Sequence, residues 1–195
     1  TATPNFEIVE IEPNDLGPVY TSLAADHIVA DDEPTIVSYC DYFQVWNYQQ
    51  FLMQIGEYDG ALSIFKGSHP ASFGSTFYAY LRCNEAGEML EIKEKESFTD
   101  NRVEEPASSG VYYFRNWAMF RELARDMLDR AETVKNEYYV SLLYRLLNER
   151  GGRISTFEVD KFICWGTPED VEQYFFWSEY FSKDAVRLAK KGHAE

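Results

Sequence analysis

The chain has 195 residues, 45% hydrophobic and 16% aromatic, which suits one folded domain with a sizeable core and excludes a disordered chain. Its formal charge of -15, with no basic patch or stripe, excludes a nucleic-acid partner but not a nucleotide held by a metal and a few local donors. Cys40, Cys83 and Cys164 are scattered and odd in number, and His27, His69 and His193 are dispersed. That usage predicts reduced thiols in a cytoplasmic protein rather than a disulfide framework or a zinc site. No apolar run is long enough to span a bilayer and no signal pattern opens the chain, so a soluble protein with no membrane partner is expected.

In chain order, residues 6–11 alternate strictly and predict a half-buried strand. Residues 13–18 form a turn into a helix carrying Val19, Leu23 and Ile28 at helical spacing. Residues 34–40 are almost wholly apolar, as in a central parallel strand covered on both faces, and the run ends at Asp41. A helix is predicted over residues 47–58 with Phe51, Leu52 and Ile55 inward. Residues 60–65 form the next strand, and 66–75 a loop rich in Gly, Ser and Pro. Strands over 77–82 and 89–95 flank a hairpin turn at 84–87. A loop over 97–106 leads to a strand at 107–114, then to helices around 117–130 and 138–150. Short strands at 154–159 and 162–164 precede a helix from Pro168 to about residue 182 and a polar tail over 183–195. Strands alternating with helices around a hairpin-rich middle predict one α/β domain.

Several residues carry possible chemistry, each with a plainer reading beside it. Asp41 closes an apolar strand, where ligands gather in open α/β sheets, and could hold a divalent cation or simply cap a turn. Gly17 permits close backbone approach and Thr21 offers a hydroxyl one turn into a helix, although an ordinary loop-to-helix join has the same form. Lys95, after Glu94, is a flexible point charge suited to phosphate, or one of the alternating charges of a solvated edge strand. Gly110 is either a bulge and packing glycine or a place of close ligand approach. Glu137 sits where a helix begins and also reads as a favourable first-turn charge.

Four blocks occur in order: Ser109-Gly110-Val111-Tyr112-Tyr113-Phe114, Asn136-Glu137-Tyr138-Tyr139-Val140, a helix closed by Gly151-Gly152, and Phe162-Ile163-Cys164-Trp165-Gly166-Thr167-Pro168-Glu169-Asp170. Together they resemble the C-terminal half of the sugar-phosphate nucleotidyltransferases, including cytidylyltransferases of bacterial surface-polysaccharide pathways. The resemblance implies a three-layer α/β domain with a mixed, mostly parallel sheet of the nucleotide-diphospho-sugar transferase (GT-A-like) type, its N-terminal part missing. Residues 1–182 would be that partial domain. It implies transfer of a nucleotidyl group from a nucleoside triphosphate, CTP or UTP, to a sugar phosphate or similar phosphorylated small molecule, with release of pyrophosphate and with Mg²⁺ as cofactor.

By the same resemblance Asp41 would hold the metal, Gly17 and Thr21 would approach the base, and Glu94, Lys95, Gly110 and Glu137 would position the acceptor. No residue is assigned as catalytic. Two departures stand out. Cys164 occupies the place where many relatives have a second metal-binding Asp, and a thiol is a poor ligand for hard Mg²⁺. The Gly-rich loop Gly-x-Gly-Ser/Thr-Arg, which stabilises the transferring phosphoryl group in the family, has no match in the sequence, so this chain is expected to be inactive alone. Alternatives are a non-catalytic sugar-phosphate or nucleotide-sugar binding module, favoured slightly by Cys164, and a glycosyltransferase of the related fold, disfavoured by the single carboxylate in Cys40-Asp41-Tyr42. Trp165 and the aromatic residues between Tyr174 and Phe181 exceed what one buried helix face needs, which predicts packing on a second subunit or further domain.

Overall fold

The structure, a computed structural model, describes residues 6–191, the side chains of residues 184–191 excepted. In chain order it contains α1 (Pro18–Leu23), β1 (Thr35–Ser38), β2 (Tyr42–Val45), α2 (Tyr48–Gln54), β3 (Gly60–Phe65), β4 (Ala79–Cys83), β5 (Met89–Glu94) and β6 (Ala107–Phe114). Then follow α3 (Trp117–Asp129), α4 (Val140–Glu149), β7 (Ile154–Glu158), β8 (Lys161–Cys164) and α5 (Pro168–Lys191).

Local chemistry accounts for the helix ends. The side chains of Asn47 and Asn116 cap α2 and α3 by accepting from the amides of Gln50 and Met119, each satisfying an otherwise orphaned donor. At the end of α4, Gly152 N donates to Leu147 O and Gly151 N to Asn148 O, the six-to-one and five-to-two bonds of a Schellman ending. The paired glycines read from the sequence do close this helix.

The main sheet runs β5-β4-β6-β3-β7, with β1 also paired to β6. Both β3 and β6 are buried along their whole lengths, which is why their sequences run apolar and small with little polar alternation. Their side chains supply three clusters on the two faces of the sheet. Leu62, Ile64, Tyr112 and Phe114 face α3, α4 and Val19 of α1. Ala61 and Tyr113 face Phe51 and Ile55 of the α2 region, and Phe65 and Ala107 face Phe162 of β8. β2 and β8 form a separate antiparallel ribbon on this second face. The result is the expected three-layer α/β arrangement around a mixed sheet.

The balance within the sheet differs from the expectation of mostly parallel strands. Among the described residues β3–β7 is parallel, while β1–β6, β3–β6, β4–β5 and β4–β6 are antiparallel. β1 is accordingly not a central parallel strand; it is half-buried and lies antiparallel to the end of β6. Residues 6–11 form no strand, and Phe6 and Ile8 are about four-fifths exposed (81% and 77%). Alternation yields a strand only where an edge is available to pair, and none lies against this segment among the described residues. Leu52, expected inward, is exposed. α5 continues to Lys191, through most of the stretch read as a polar tail, and residues 192–195 lie outside the described residues.

Candidate functional site

One edge of β6 serves two strands. β4 reaches it at the pair Tyr80–Ala107, and β1 begins at the pair Ser38–Val111. Ser108, Ser109 and Gly110 lie between these contacts, and all three line a cavity of about 280 Å³. The cavity therefore opens where two strands part company on a shared edge. β3 and β6 slip register across the same place, between Leu62 and Ile64. Gly110 has φ of +94°, and a Cβ there would lie 3.3 Å from the Tyr39 ring. The bulge and packing reading of this glycine holds: it stands at the register slip, and Tyr39 fills the space a side chain would take.

One wall comes from the end of β5 and the start of α4. The Glu94 carboxylate accepts from Ser141 Oγ at 2.5 Å and lies 3.7 Å from Lys95 Nζ. Burial raises its pKa above the ordinary carboxylate value, Ser141 and Lys95 oppose that shift, and the nearby charge of Glu137 adds to it. Lys95 adopts a left-handed backbone, φ +58°. That turns its side chain so that Nζ donates to Phe77 O at 2.8 Å and sits 5.4 Å from the centre of the Tyr139 ring. The Tyr139 hydroxyl is pushed up to about 12, by burial first and then by Glu137 beside it.

Glu137 itself is held by a tight reverse turn. Val134 and Glu137 exchange both backbone hydrogen bonds, and Lys135 and Asn136 between them have φ of +52° and +66°. This is the hairpin turn with two left-handed residues that Asn favours. The turn also brings Lys135 to a second hollow that it shares with Ser75, Thr76, Phe77 and Lys95. Sequence reasoning missed Lys135, because its left-handed partner Asn136 read as a helix cap.

The opposite rim is the β2–β8 ribbon. Trp165 N donates to Asp41 O at 2.7 Å, which fixes the approach of the two segments. A Cβ on Gly166 would lie 3.0 Å from Asp41 Oδ2 and 3.3 Å from Cys164 Sγ. A side chain there would crowd that carboxylate and that thiol, which flank one point. Burial raises the Cys164 pKa, so the thiol is neutral at physiological pH. Tyr78 Oη lies against Cys164; it and Tyr39 Oη are buried and meet no hydrogen-bond partner among the described residues, and both residues line the cavity.

Asp41, Glu94, Lys95 and Gly110 thus line one cavity, with Glu137 beside Tyr139 at its wall. Gly17 and Thr21 are not among the lining residues. Gly17, at φ +91°, packs against the other side of the Glu137–Tyr138 segment, where a Cβ would meet Tyr138 N at 2.9 Å. Thr21 is exposed on α1. Among the described residues no three His, Cys, Asp or Glu side chains gather as a metal site. The donors at the ribbon rim are one exposed carboxylate, Asp41, and a soft neutral thiol. One carboxylate and a soft thiol do not make a cage for a hard cation built by protein alone. No helix among the described residues is long and apolar enough to cross a membrane.

This architecture is the nucleotide-diphospho-sugar transferase fold. A nucleoside-diphosphate-sugar pyrophosphorylase from Vibrio cholerae superposes with a TM-score of 0.62 at 18% identity, covering 84% of this chain and 66% of that one. A putative glucose-1-phosphate thymidylyltransferase from Bacillus anthracis gives 0.59 at 12% identity, covering 83% and 61%. The inositol-1-phosphate CTP transferase from T. maritima gives 0.57 at 15% identity, covering 80% and 58%. In sequence, the chain is 26% identical over 165 residues to the bifunctional protein GlmU of Shouchella clausii, covering 82% of this chain. It spans only 35% of that protein's length. No family model matches the chain.

Proposed function

We propose that these residues form the acceptor side of a nucleotidyltransferase that joins a nucleotidyl group from CTP or UTP to a sugar phosphate or a similar small phosphorylated acceptor, releasing pyrophosphate. One observation carries the reading. Asp41, the Glu94-Lys95 pair and Gly110 come from three separate stretches of sequence, were singled out for a phosphate-bearing acceptor and its metal, and line a single cavity.

In this reading the acceptor phosphate sits at Lys95, whose ammonium exchanges the Phe77 carbonyl for a phosphate oxygen, a stronger, charge-assisted bond. Lys135 on the neighbouring hollow adds a second positive charge to the same end. Glu94 and Glu137 accept from acceptor hydroxyls, and Gly110 allows the ring to approach the strand. An acceptor phosphate oxygen attacks the α-phosphorus in line and pyrophosphate departs. Mg²⁺ held at Asp41 would neutralise charge on the phosphates. Gly17 and Thr21 stay on the nucleotide side of the Glu137–Tyr138 wall.

Because the sequence contains no Gly-x-Gly-Ser/Thr-Arg loop, binding is the quantity to measure first. Titration calorimetry with a panel of sugar 1-phosphates should find one that binds, and Lys95→Ala should weaken it by about 10–100-fold, the scale of a charged hydrogen bond. A ligand that binds equally to Lys95→Ala, or a panel from which nothing binds, would count against the reading. Pyrophosphate release with CTP and UTP then separates transfer from a pure binding module, which the neutral Cys164 beside Asp41 also suits.

A further inference from the structure

α5 is 24 residues long, yet among the described residues its ties to the body lie in its first two turns. Thr167 Oγ1 donates to Asp170 Oδ2 at 2.9 Å, and the Trp165 ring meets Tyr174 at 5.2 Å. Beyond these, Phe175, Phe176, Trp177, Tyr180 and Phe181 are each at least half exposed. At 100° per residue, Tyr174, Phe176, Trp177, Tyr180 and Phe181 occupy one arc of about 160°. Those five side chains, at roughly 200 Å² each and about half exposed, leave on the order of 500 Å² of uncovered aromatic surface on one face. That is more than half of the roughly 800 Å² that one partner contributes to a standard stable interface.

The charges along the helix say what covers it. Residues 168–173 carry Glu169, Asp170 and Glu172 and no cation, whereas residues 182–191 carry Lys183, Arg187, Lys190 and Lys191 against one carboxylate, Asp184. The aromatic cluster lies between these oppositely charged ends. A second α5 laid antiparallel, about a two-fold axis near Trp177 and Ser178, stacks the aromatic arcs on each other. It also runs the acidic turns of each copy beside the basic turns of its mate. A parallel pair would set like charges together. An acidic chain of formal charge -15 also disfavours an anionic lipid surface as the occupant.

We infer that α5 is a self-association helix that pairs antiparallel with α5 of a second copy of this chain, closing a two-fold dimer. The test is sedimentation velocity across roughly 1–100 µM protein, bracketing micromolar affinity. The expected mass is twice the 22.7 kDa of the chain. Trp177→Glu with Phe181→Glu should raise the dissociation constant by at least ~100-fold, the scale of losing buried aromatic anchors. Both side chains are more than half exposed in one copy, so circular dichroism should show the variant as folded as the parent. Glu169→Lys with Glu172→Lys should also weaken the dimer, and more so at low salt, because it sets like charges against the basic turns. A parent that stays monomeric overturns the inference. So do a dimer indifferent to the aromatic substitutions, one tightened by the charge reversal, and assembly that continues past the dimer.

Discussion

Removing one oxygen atom, in Tyr144→Phe, tests the bonding that holds the two central strands beneath α4. Tyr144 is fully buried. Its single O–H hydrogen is shared between Ala61 O at 2.8 Å and Tyr113 O, two residues that face each other across β3 and β6. Phenylalanine keeps the ring contacts with Phe114 at 5.1 Å and Tyr112 at 5.6 Å, so packing is held constant and only the donor is lost. A buried hydrogen bond contributes about 1 kcal/mol net, and an acceptor left short costs about 1–3 kcal/mol. With both carbonyls affected, the expected loss is about 2 kcal/mol. For a chain of this size that corresponds to a fall in Tm of about 4–8 °C. Urea unfolding followed by tryptophan fluorescence should show a lower midpoint with an unchanged slope, since the surface exposed on unfolding is the same. A change below about 0.5 kcal/mol would refute the assignment of this hydroxyl as a tie between the strands.

Two further substitutions bear on the cavity wall. Glu94 has a folded pKa raised above its ordinary 4.5, so its ionised form costs stability, absent well below that value and growing as pH rises through it. Glu94→Gln should therefore gain on the parent as pH is raised from 4.5 towards 7.5, read from urea midpoints; a constant gap would show that Glu94 is not the titrating group. Gly17→Ala forces a Cβ into a left-handed residue 2.9 Å from the Tyr138 amide. That segment is pinned by Tyr138 N to Leu16 O and Val19 N to Tyr138 O. The expected cost is about 2–3 kcal/mol, together with weaker acceptor binding as Glu137 shifts; stability unchanged to within about 0.5 kcal/mol would discount the close approach.

Much of the fold was readable where a pattern is local. β3, β6, the β4–β5 hairpin, α3 and α4 all show in burial period, turn residues and caps, and each matches its predicted span to within about two residues, as expected of boundaries read from pattern. What failed depends on distant partners. β2 has only four residues, and its pairing with β8 spans Tyr42 to Cys164, so nothing near Asp41 announces it. Residues 6–11 show the converse, a strand pattern without an edge to join. The direction of β1 was misread for the same reason, since a short apolar run is equally suited to either orientation. At the cavity, Asp41, Glu94, Lys95 and Gly110 could be picked out by charge or by a glycine within a strand, whereas Gly17 and Thr21, also picked out from the sequence, do not line it. Tyr39, Tyr78 and Thr76 could not be picked out, because lining a cavity is a property of the assembled sheet. Lys135 was hidden by a turn whose Asn reads equally well as a cap.

The strand parting on β6 also sets an order of events during synthesis. The floor of the cavity is complete once residue 114 has emerged, but its rim waits for residues 161–167, and the parallel pairing of β3 joins residue 60 to residue 154. Such long loops close late, and domains made N-terminus first spend that interval with unsatisfied edges. Until β7 and β8 arrive, the β3 edge is bare and Asp41 has no Cys164 or Gly166 to meet. On the proposed reading, acceptor binding would begin only when the last ribbon strand docks, and ligand retention on the ribosome would mark that moment.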